Sequence, residues 1–353
     1  MCGIAGFISP RYTPEVRQDV VGRMCAAMLH RGPDDSGLLS SGPATLGMRR
    51  LAIFDPANGR QPLSSPDHRF SIIFNGAIYN FRELRAELEK TGTRFHTQCD
   101  TEVLLAAYAH WGAACLKKLR GMFAFAVWDE RDRTLFLARD PFGIKPLYYV
   151  HAGDTLIFAS ELNALAASGI VATTLDPAAL NTTLTYLAVP APNTIYRGVF
   201  CLRPGEYATH RDEVLSIHSY WNFHDAAQAG VEPCRTRRTF EKELRTRLEA
   251  SIRAHSLADV PVGAFLSGGL DSCAIVALMQ RAGGAKLKTF SLGFAEADYS
   301  EASEAEAAAR HFGTEHQTFV LSGAQVAGDM EKIIAGLDQP TGDGINSYYI
   351  SQV

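Results

Sequence analysis

The chain has no uninterrupted run of about 18 apolar residues and no basic segment leading into a shorter one, so neither membrane insertion nor export is expected. It has no excess of positive charge: 34 Lys and Arg against 38 Asp and Glu leave a formal net charge of −4, which argues against nucleic acid as a partner. It has no pair of cysteines at zinc or redox spacing. Its seven cysteines, Cys2, Cys25, Cys99, Cys115, Cys201, Cys234 and Cys273, are scattered and odd in number, and read as reduced thiols of a cytoplasmic protein. What is present is 353 residues of 46% apolar composition, enough for two domains with sizeable cores.

Cys2 lies one peptide bond from the chain start. If Met1 is removed, one residue carries a thiol and a free α-amine whose pKa near ~8 lets it take the thiol proton. A cysteine at position two is more often an ordinary buried residue of a first strand, so the rest of the chain must supply the other parts of a site. The apolar segment Cys2 to Ile8 reads as that strand. Val16, Val20, Val21, Met24 and Met28 then recur at helical spacing, and the stripe stops at His30-Arg31-Gly32-Pro33-Asp34-Asp35, which cannot continue a helix.

Strands are expected over Ala44 to Phe54 and Phe70 to Phe74, the second ending at Asn75-Gly76, a dipeptide that usually turns. Two helices follow, with Phe81, Leu84 and Leu88 on one face of the first and Val103, Leu104, Ala107, Tyr108 and Trp111 on the second. Asp100 or Thr101 would cap the second. Met122 to Trp128 is apolar on both faces, so it must be covered on both. Helices flanking doubly buried hairpin strands predict a layered sandwich with two sheets inside. Short helices are expected over Glu161 to Ala167 and Pro177 to Tyr186. The hydrophobic pattern then lapses, giving a first domain of 1–221, a linker of 222–238 and a second domain of 239–353.

The second domain opens with a helix in which Phe240, Leu244, Leu248 and Ile252 lie four apart. A buried strand, Val260 to Leu266, leads into Ser267-Gly268-Gly269-Leu270-Asp271-Ser272 and another helix. Strand Leu287 to Leu292, helix Glu301 to Phe312 and strand Glu315 to Val320 continue an alternation that predicts a parallel sheet. A glycine turn between strand and helix presents main-chain N–H groups and the positive end of a helix dipole, which suits an anion such as pyrophosphate. No lysine follows the glycines, so this is not the Gly-x-x-x-x-Gly-Lys-Ser/Thr loop.

These motifs resemble, across essentially the whole chain, the glutamine-hydrolysing asparagine synthetases, a class II glutamine amidotransferase family. Cys-Gly-Ile-Ala-Gly at 2–6, His-Arg-Gly-Pro-Asp-Asp at 30–35, Asn-Gly-x-Ile-Tyr-Asn at 75–80, Gly-Met-Phe-Ala-Phe at 121–125 and Arg-Asp-Pro-Phe-Gly-Ile-Lys-Pro-Leu-Tyr-Tyr at 139–149 resemble its N-terminal-nucleophile glutaminase half. Ser-Gly-Gly-Leu-Asp-Ser at 267–272 resembles its pyrophosphatase-loop ATP site. The resemblance implies an αββα glutaminase sandwich followed by an α/β nucleotide-binding domain. It implies Cys2 as nucleophile, the Asn75 side chain and Gly76 N–H as oxyanion donors, Arg50 on the glutamine α-carboxylate and Asp100 near its α-ammonium. It also implies that Ser267, Gly268, Gly269, Asp271 and Ser272 grip ATP, with Leu266 and Leu292 beside it through their main chains. Glutamine, aspartate and ATP would be the substrates, Mg2+ the companion of the phosphates, and a homodimer the assembly.

Two departures from the family pattern carry consequences. Where the family has an acidic residue after Asn-Gly, this chain has Ala77, and one charge-assisted bond fewer to glutamine would weaken binding by about 1.5–3 kcal/mol. The chain also stops at Val353, in what reads as the middle of an amphipathic helix without a cap, so a truncated product with an incomplete nucleotide site is expected. Besides asparagine synthesis, the residues are compatible with amidation of another carboxylate, in natural-product or sugar metabolism, and with a non-synthetic glutaminase or binding fragment.

Overall fold

The computed structural model describes residues 1–229, 236–283, 286–296, 300–342 and 344–352. The chain divides into two compact units, Met1–Gly230 and Val231–Val353. Residues 230–235 of the expected linker lie outside the described residues; its earlier part carries a short helix over Phe223–Ala229.

The first unit is built on two six-stranded sheets. Its first strand, β1 (Gly3–Ile8), is followed by helix α1 (Pro14–Ala27), β2 (Asp35–Ser41) and β3 (Ala44–Arg50). A short β4 (Leu63–Ser64) and a long β5 (Phe70–Ile78) precede helices α2 (Phe81–Glu89) and α3 (Asp100–Trp111). Strands β6 (Gly121–Asp129), β7 (Thr134–Arg139), β8 (Tyr148–Ala152) and β9 (Thr155–Ala159) come next, then α4 (Leu162–Ala167) and α5 (Pro177–Tyr186). The unit closes with β10 (Phe200–Cys201), β11 (Glu206–Arg211), β12 (Val214–Ser219) and the short helix α6 (Phe223–Ala229). One sheet has the order β10-β8-β9-β1-β3-β2 and the other β12-β11-β7-β6-β5-β4, with every pairing antiparallel.

Alternation along the strands explains the layers. In β1, Ile4 and Ile8 face the second sheet and share a core with Met48, Ile73, Trp128 and Leu137. The intervening Ala5 and Phe7 face outward into a second core with Val20, Val21 and Met24 of α1 and Leu162 of α4. On the outer side of the other sheet, Tyr108 of α3 meets Phe136 of β7 at 4.8 Å and Phe70 of β5 edge-on at 5.6 Å. The result is the expected αββα sandwich.

Asn75-Gly76 does not turn. Both residues continue β5, with Asn75 opposite Ala124 and Gly76 opposite Phe123 of β6. Ladder hydrogen bonds on both sides of the dipeptide override its local preference. The glycine serves close approach instead, because a Cβ at Gly76 would sit 2.2 Å from the Met122 carbonyl oxygen. The cap expectation also fails: Cys99 is the N-cap of α3, and Asp100, inside the first turn, directs its side chain to β5.

The second unit comprises α7 (Arg237–His255), β13 (Gly263–Phe265), α8 (Leu270–Ala282), β14 (Lys288–Phe294), α9 (Ala302–Phe312), β15 (Glu315–Leu321), α10 (Gly323–Gly336) and α11 (Gly344–Ile350). Its three strands are parallel in the order β13-β14-β15, as the alternation predicts. Val260 to Leu266 is less of a buried strand than its composition suggests. Only Gly263–Phe265 pairs, and as an edge strand it leaves Phe265 56% exposed. Leu266, Val276, Leu287, Ala305 and Ala309 form the small core between sheet and helices. Among the described residues no helix is long and apolar enough to cross a membrane.

Candidate active site

Cys2 precedes β1, and its Sγ accepts a hydrogen bond from the main-chain N–H of Leu51 at 3.4 Å, just past the end of β3. The antiparallel pairing of β1 with β3, in which Gly3 lies opposite Arg49, brings these ends together. Burial pushes the thiol pKa up, so the resting group is a thiol that needs a base. Burial also pushes the α-amine of Met1 down, aided by the positive charges of Arg31 and Lys145. Arg31 Nε donates to the Cys2 carbonyl at 2.9 Å while its Nη1 bonds Glu161 at 2.9 Å, fixing the chain start from the other side.

Arg50 ends β3 and is 4% exposed. The loop that follows wraps around it: its guanidinium donates to the carbonyls of Phe54 at 2.9 Å, Asp55 at 2.8 Å and Pro56 at 3.1 Å. A guanidinium has five N–H donors, so two remain. Asp55 in turn accepts from Gln98 N–H at 2.8 Å, which ties this loop to the segment ahead of α3. Asp100 is fully enclosed, and burial raises its pKa to about 6. Its Oδ2 accepts from Ile78 N–H at 2.9 Å. Among the described residues neither Arg50 nor Asp100 forms an ion pair, although both are buried and both act electrostatically on Cys2. A buried cation and a buried anion that form no ion pair match a zwitterionic ligand, with Asp55 the carboxylate that acts on Arg50 through space.

Asn75 is 1% exposed, and neither the nitrogen nor the oxygen of its amide has a hydrogen-bond partner. Such a group is costly to keep unless something else completes its bonding. Ala77, two residues on, is also buried and brings no charge. Burial pushes the thiols of Cys25, Cys99 and Cys115 up as well, to about 12.

In the second unit, Leu266, Ser267, Ser272 and Leu292 line a cavity of ≈ 400 Å³ at the carboxyl ends of β13 and β14. Gly268 has φ of +79°, and a Cβ there would lie 2.6 Å from Glu304 Cβ, so only glycine fits this turn. Gly269 is the N-cap of α8, and Asp271 lies in its first turn. The loop holds its own shape: Ser272 Oγ accepts from Ser267 N–H at 3.2 Å and donates to the Gly269 carbonyl at 3.1 Å. Gly268, Gly269 and Asp271 adjoin the cavity in sequence without lining it. Sequence reading gave no separate role to Leu51, Arg31, Glu161 or Lys145. Arg31 and Lys145 stood inside recognisable motifs, but a loop carbonyl or a main-chain N–H has no side-chain signature.

An αββα sandwich whose first strand is immediately preceded by a cysteine defines the N-terminal-nucleophile glutamine amidotransferase class, and the family model described as a glutamine amidotransferase domain matches residues 1–221. A second model, described as asparagine synthase, matches residues 243–352. The chain is 39% identical to asparagine synthetase [glutamine-hydrolyzing] 1 of Bacillus subtilis, over 100% of this chain and 55% of that protein. It is 32% identical to putative asparagine synthetase [glutamine-hydrolyzing] 2 of Methanocaldococcus jannaschii, over 100% and 72%. It is 31% identical to amidase chry2 of Gibberella zeae, over 79% and 43%. The chain belongs to the glutamine-hydrolysing asparagine synthetase family. It spans about half the length of several of the curated relatives it matches, 55% of the Bacillus subtilis protein.

Proposed function

We propose that the first unit hydrolyses glutamine at Cys2 and supplies ammonia to an ATP-dependent amide-forming reaction, with aspartate as acceptor. The observation that carries the glutaminase reading is the pair of buried charges outside any ion pair, Arg50 and Asp100, both acting electrostatically on the Cys2 thiol. Glutamine would place its α-carboxylate on Arg50 and its α-ammonium on Asp100, and so present its side-chain amide to sulfur. After Met1 is removed, the α-amine takes the thiol proton and sulfur attacks the amide carbon. The oxyanion receives hydrogen bonds from the Asn75 amide and Gly76 N–H. The protonated amine gives its proton to the departing nitrogen, ammonia leaves, and water cleaves the thioester to glutamate.

The asparagine synthase match implies ATP use, and the loop at 267–272 supports phosphate binding: a glycine fixed at positive φ and main-chain N–H groups at the start of α8. Among the described residues no three His, Cys, Asp or Glu side chains converge to hold a metal. Mg2+ would therefore be held chiefly by the phosphates, with Asp271 the nearest acidic residue of the loop. We place the boundary between the two functions in the 222–238 segment. A second reading, amidation of a carboxylate other than aspartate, draws on the likeness to a relative named an amidase.

The test is glutamate and ammonia release from glutamine by the full chain, then pyrophosphate release with ATP and a panel of carboxylic acids. Aspartate-dependent pyrophosphate supports the first reading. A different carboxylate supports the second, and no glutamate release removes the glutaminase assignment.

A further inference from the structure

Cys2 lies outside the ladder of β1, which begins at Gly3. Among the described residues, hydrogen bonds reach it at two atoms: its sulfur, from the N–H of Leu51 at 3.4 Å, and its carbonyl, from Arg31 Nε at 2.9 Å. Neither contact involves Met1. Once Met1 is lost, Cys2 is the terminal residue, and a terminal residue frays unless such contacts tie it down.

The junction of β9 and α4 supports this clamp from behind. Glu161, the N-cap of α4, is 6% exposed, and its Oε1 accepts from Arg31 Nη1 at 2.9 Å and lies 3.0 Å from Nε2 of the exposed His30. Burial by itself would raise the Glu161 pKa, but the hydrogen bonds from His30 and Arg31 bring it below the ordinary carboxylate value, so Glu161 is an anion at neutral pH. Among the described residues it is the one carboxylate in an ion pair with Arg31, itself a buried cation. The adjoining Ser160 grips the same end of β1: its Oγ accepts from Ile4 N–H at 3.0 Å and its N–H donates to the Ile4 carbonyl at 2.9 Å. A guanidinium is a planar fork, so a carboxylate fixed against Nη1 sets the direction in which Nε points.

We propose that Glu161 is a positioning residue for the nucleophile: acting through Arg31, it holds the Cys2 carbonyl and so fixes the sulfur of a residue that becomes the chain end. The inference rests on the N-terminal-nucleophile reading above. Glu161 touches neither sulfur nor substrate in this role and exchanges no proton. Without its charge, Arg31 is left as a buried cation with no ion-pair partner, and the fork turns toward other acceptors. The substrate charges are held separately, by Arg50 and Asp100, so the loss falls on turnover rather than on binding.

The experiment measures glutamate release by the full chain, with loss of Met1 verified by intact mass, for Glu161→Gln, Arg31→Met and the two together. Glu161→Gln is expected to lower kcat at least about tenfold and to leave the glutamine KM within about threefold of wild type. The double variant should match Arg31→Met alone within about twofold, because Glu161 acts only through Arg31. Glu161→Met, which removes the charge and keeps an unbranched stem, takes the place of Glu161→Gln should that variant fail to fold. A kcat within about twofold of wild type, a loss carried by KM, or a double variant that falls by the product of the two single losses overturns the proposal. Absence of release by the wild type, or its persistence in Cys2→Ala, overturns instead the glutaminase reading beneath it.

Discussion

Oδ2 of Asp100 accepts the main-chain N–H of Ile78 at 2.9 Å, so the carboxylate that acts electrostatically on Cys2 is also what joins the start of α3 to the end of β5. Its pKa, raised from 3.8 to about 6 by burial, means that the native state binds its proton more tightly than the unfolded chain does. This group's contribution to stability is therefore greatest below about pH 4, falls as pH rises to about 6, and stays at its lower value above that. Asp100→Asn keeps an acceptor for Ile78 and removes the buried charge. It should stabilise the first unit at pH 7 by about 1–3 kcal/mol, with the gain vanishing toward pH 4, while raising the glutamine KM at least about tenfold. Thermal melts across that pH range, paired with glutaminase kinetics, check both. A variant less stable than wild type at neutral pH would contradict the account.

Replacement of Cys2 by alanine should abolish glutamine hydrolysis and leave nucleotide binding by the second unit intact. The measurement is glutamate release alongside titration with a fluorescent ATP analogue. Retained glutaminase activity would remove the nucleophile from the site.

The unpartnered amide of Asn75 leads to an unusual pairing of effects. Asn75→Ala should lower kcat about 10²–10³-fold through loss of an oxyanion donor. Stability should change by no more than about 1 kcal/mol, since no internal hydrogen bond is broken. A large loss of stability with kcat preserved would assign Asn75 to the framework instead.

Ala77 is buried beside the proposed substrate site, and a carboxylate there would add a partner for the glutamine ammonium. Ala77→Glu is expected to lower the glutamine KM about ten- to hundredfold with kcat little changed. An unchanged KM would show that Asp100 alone suffices.

Gly268→Ala probes the nucleotide loop. A Cβ at φ of +79° and 2.6 Å from Glu304 forces the turn or α9 to shift. ATP affinity should fall at least about tenfold and the second unit should lose about 1–3 kcal/mol, measured by nucleotide titration and chemical unfolding. Unaltered ATP binding would place the nucleotide elsewhere.

The sequence by itself determined the layers and the identity of the chemistry-bearing groups. Period-two strands and period-3.6 helices are local signals, so the apolar stripe of α1, the doubly buried β6 and the strand-loop-helix around Ser267 were legible without coordinates. Local signals misjudged Asn75-Gly76, because a dipeptide that turns in isolation is held straight when β6 completes its ladder. They also overstated β13, whose exposure follows from its place at a sheet edge rather than from its composition. Tertiary structure alone decided which charges go unpaired. Arg31 and Arg50 are both buried arginines, yet among the described residues one pairs with Glu161 while the other's hydrogen bonds go to carbonyls of its own loop. Pairing depends on through-space distance between segments far apart in the chain, and a burial cost of several kcal/mol turns on it. That is why the candidate residues could be named from sequence, while the absence of an ion pair at Arg50 and Asp100 required the fold.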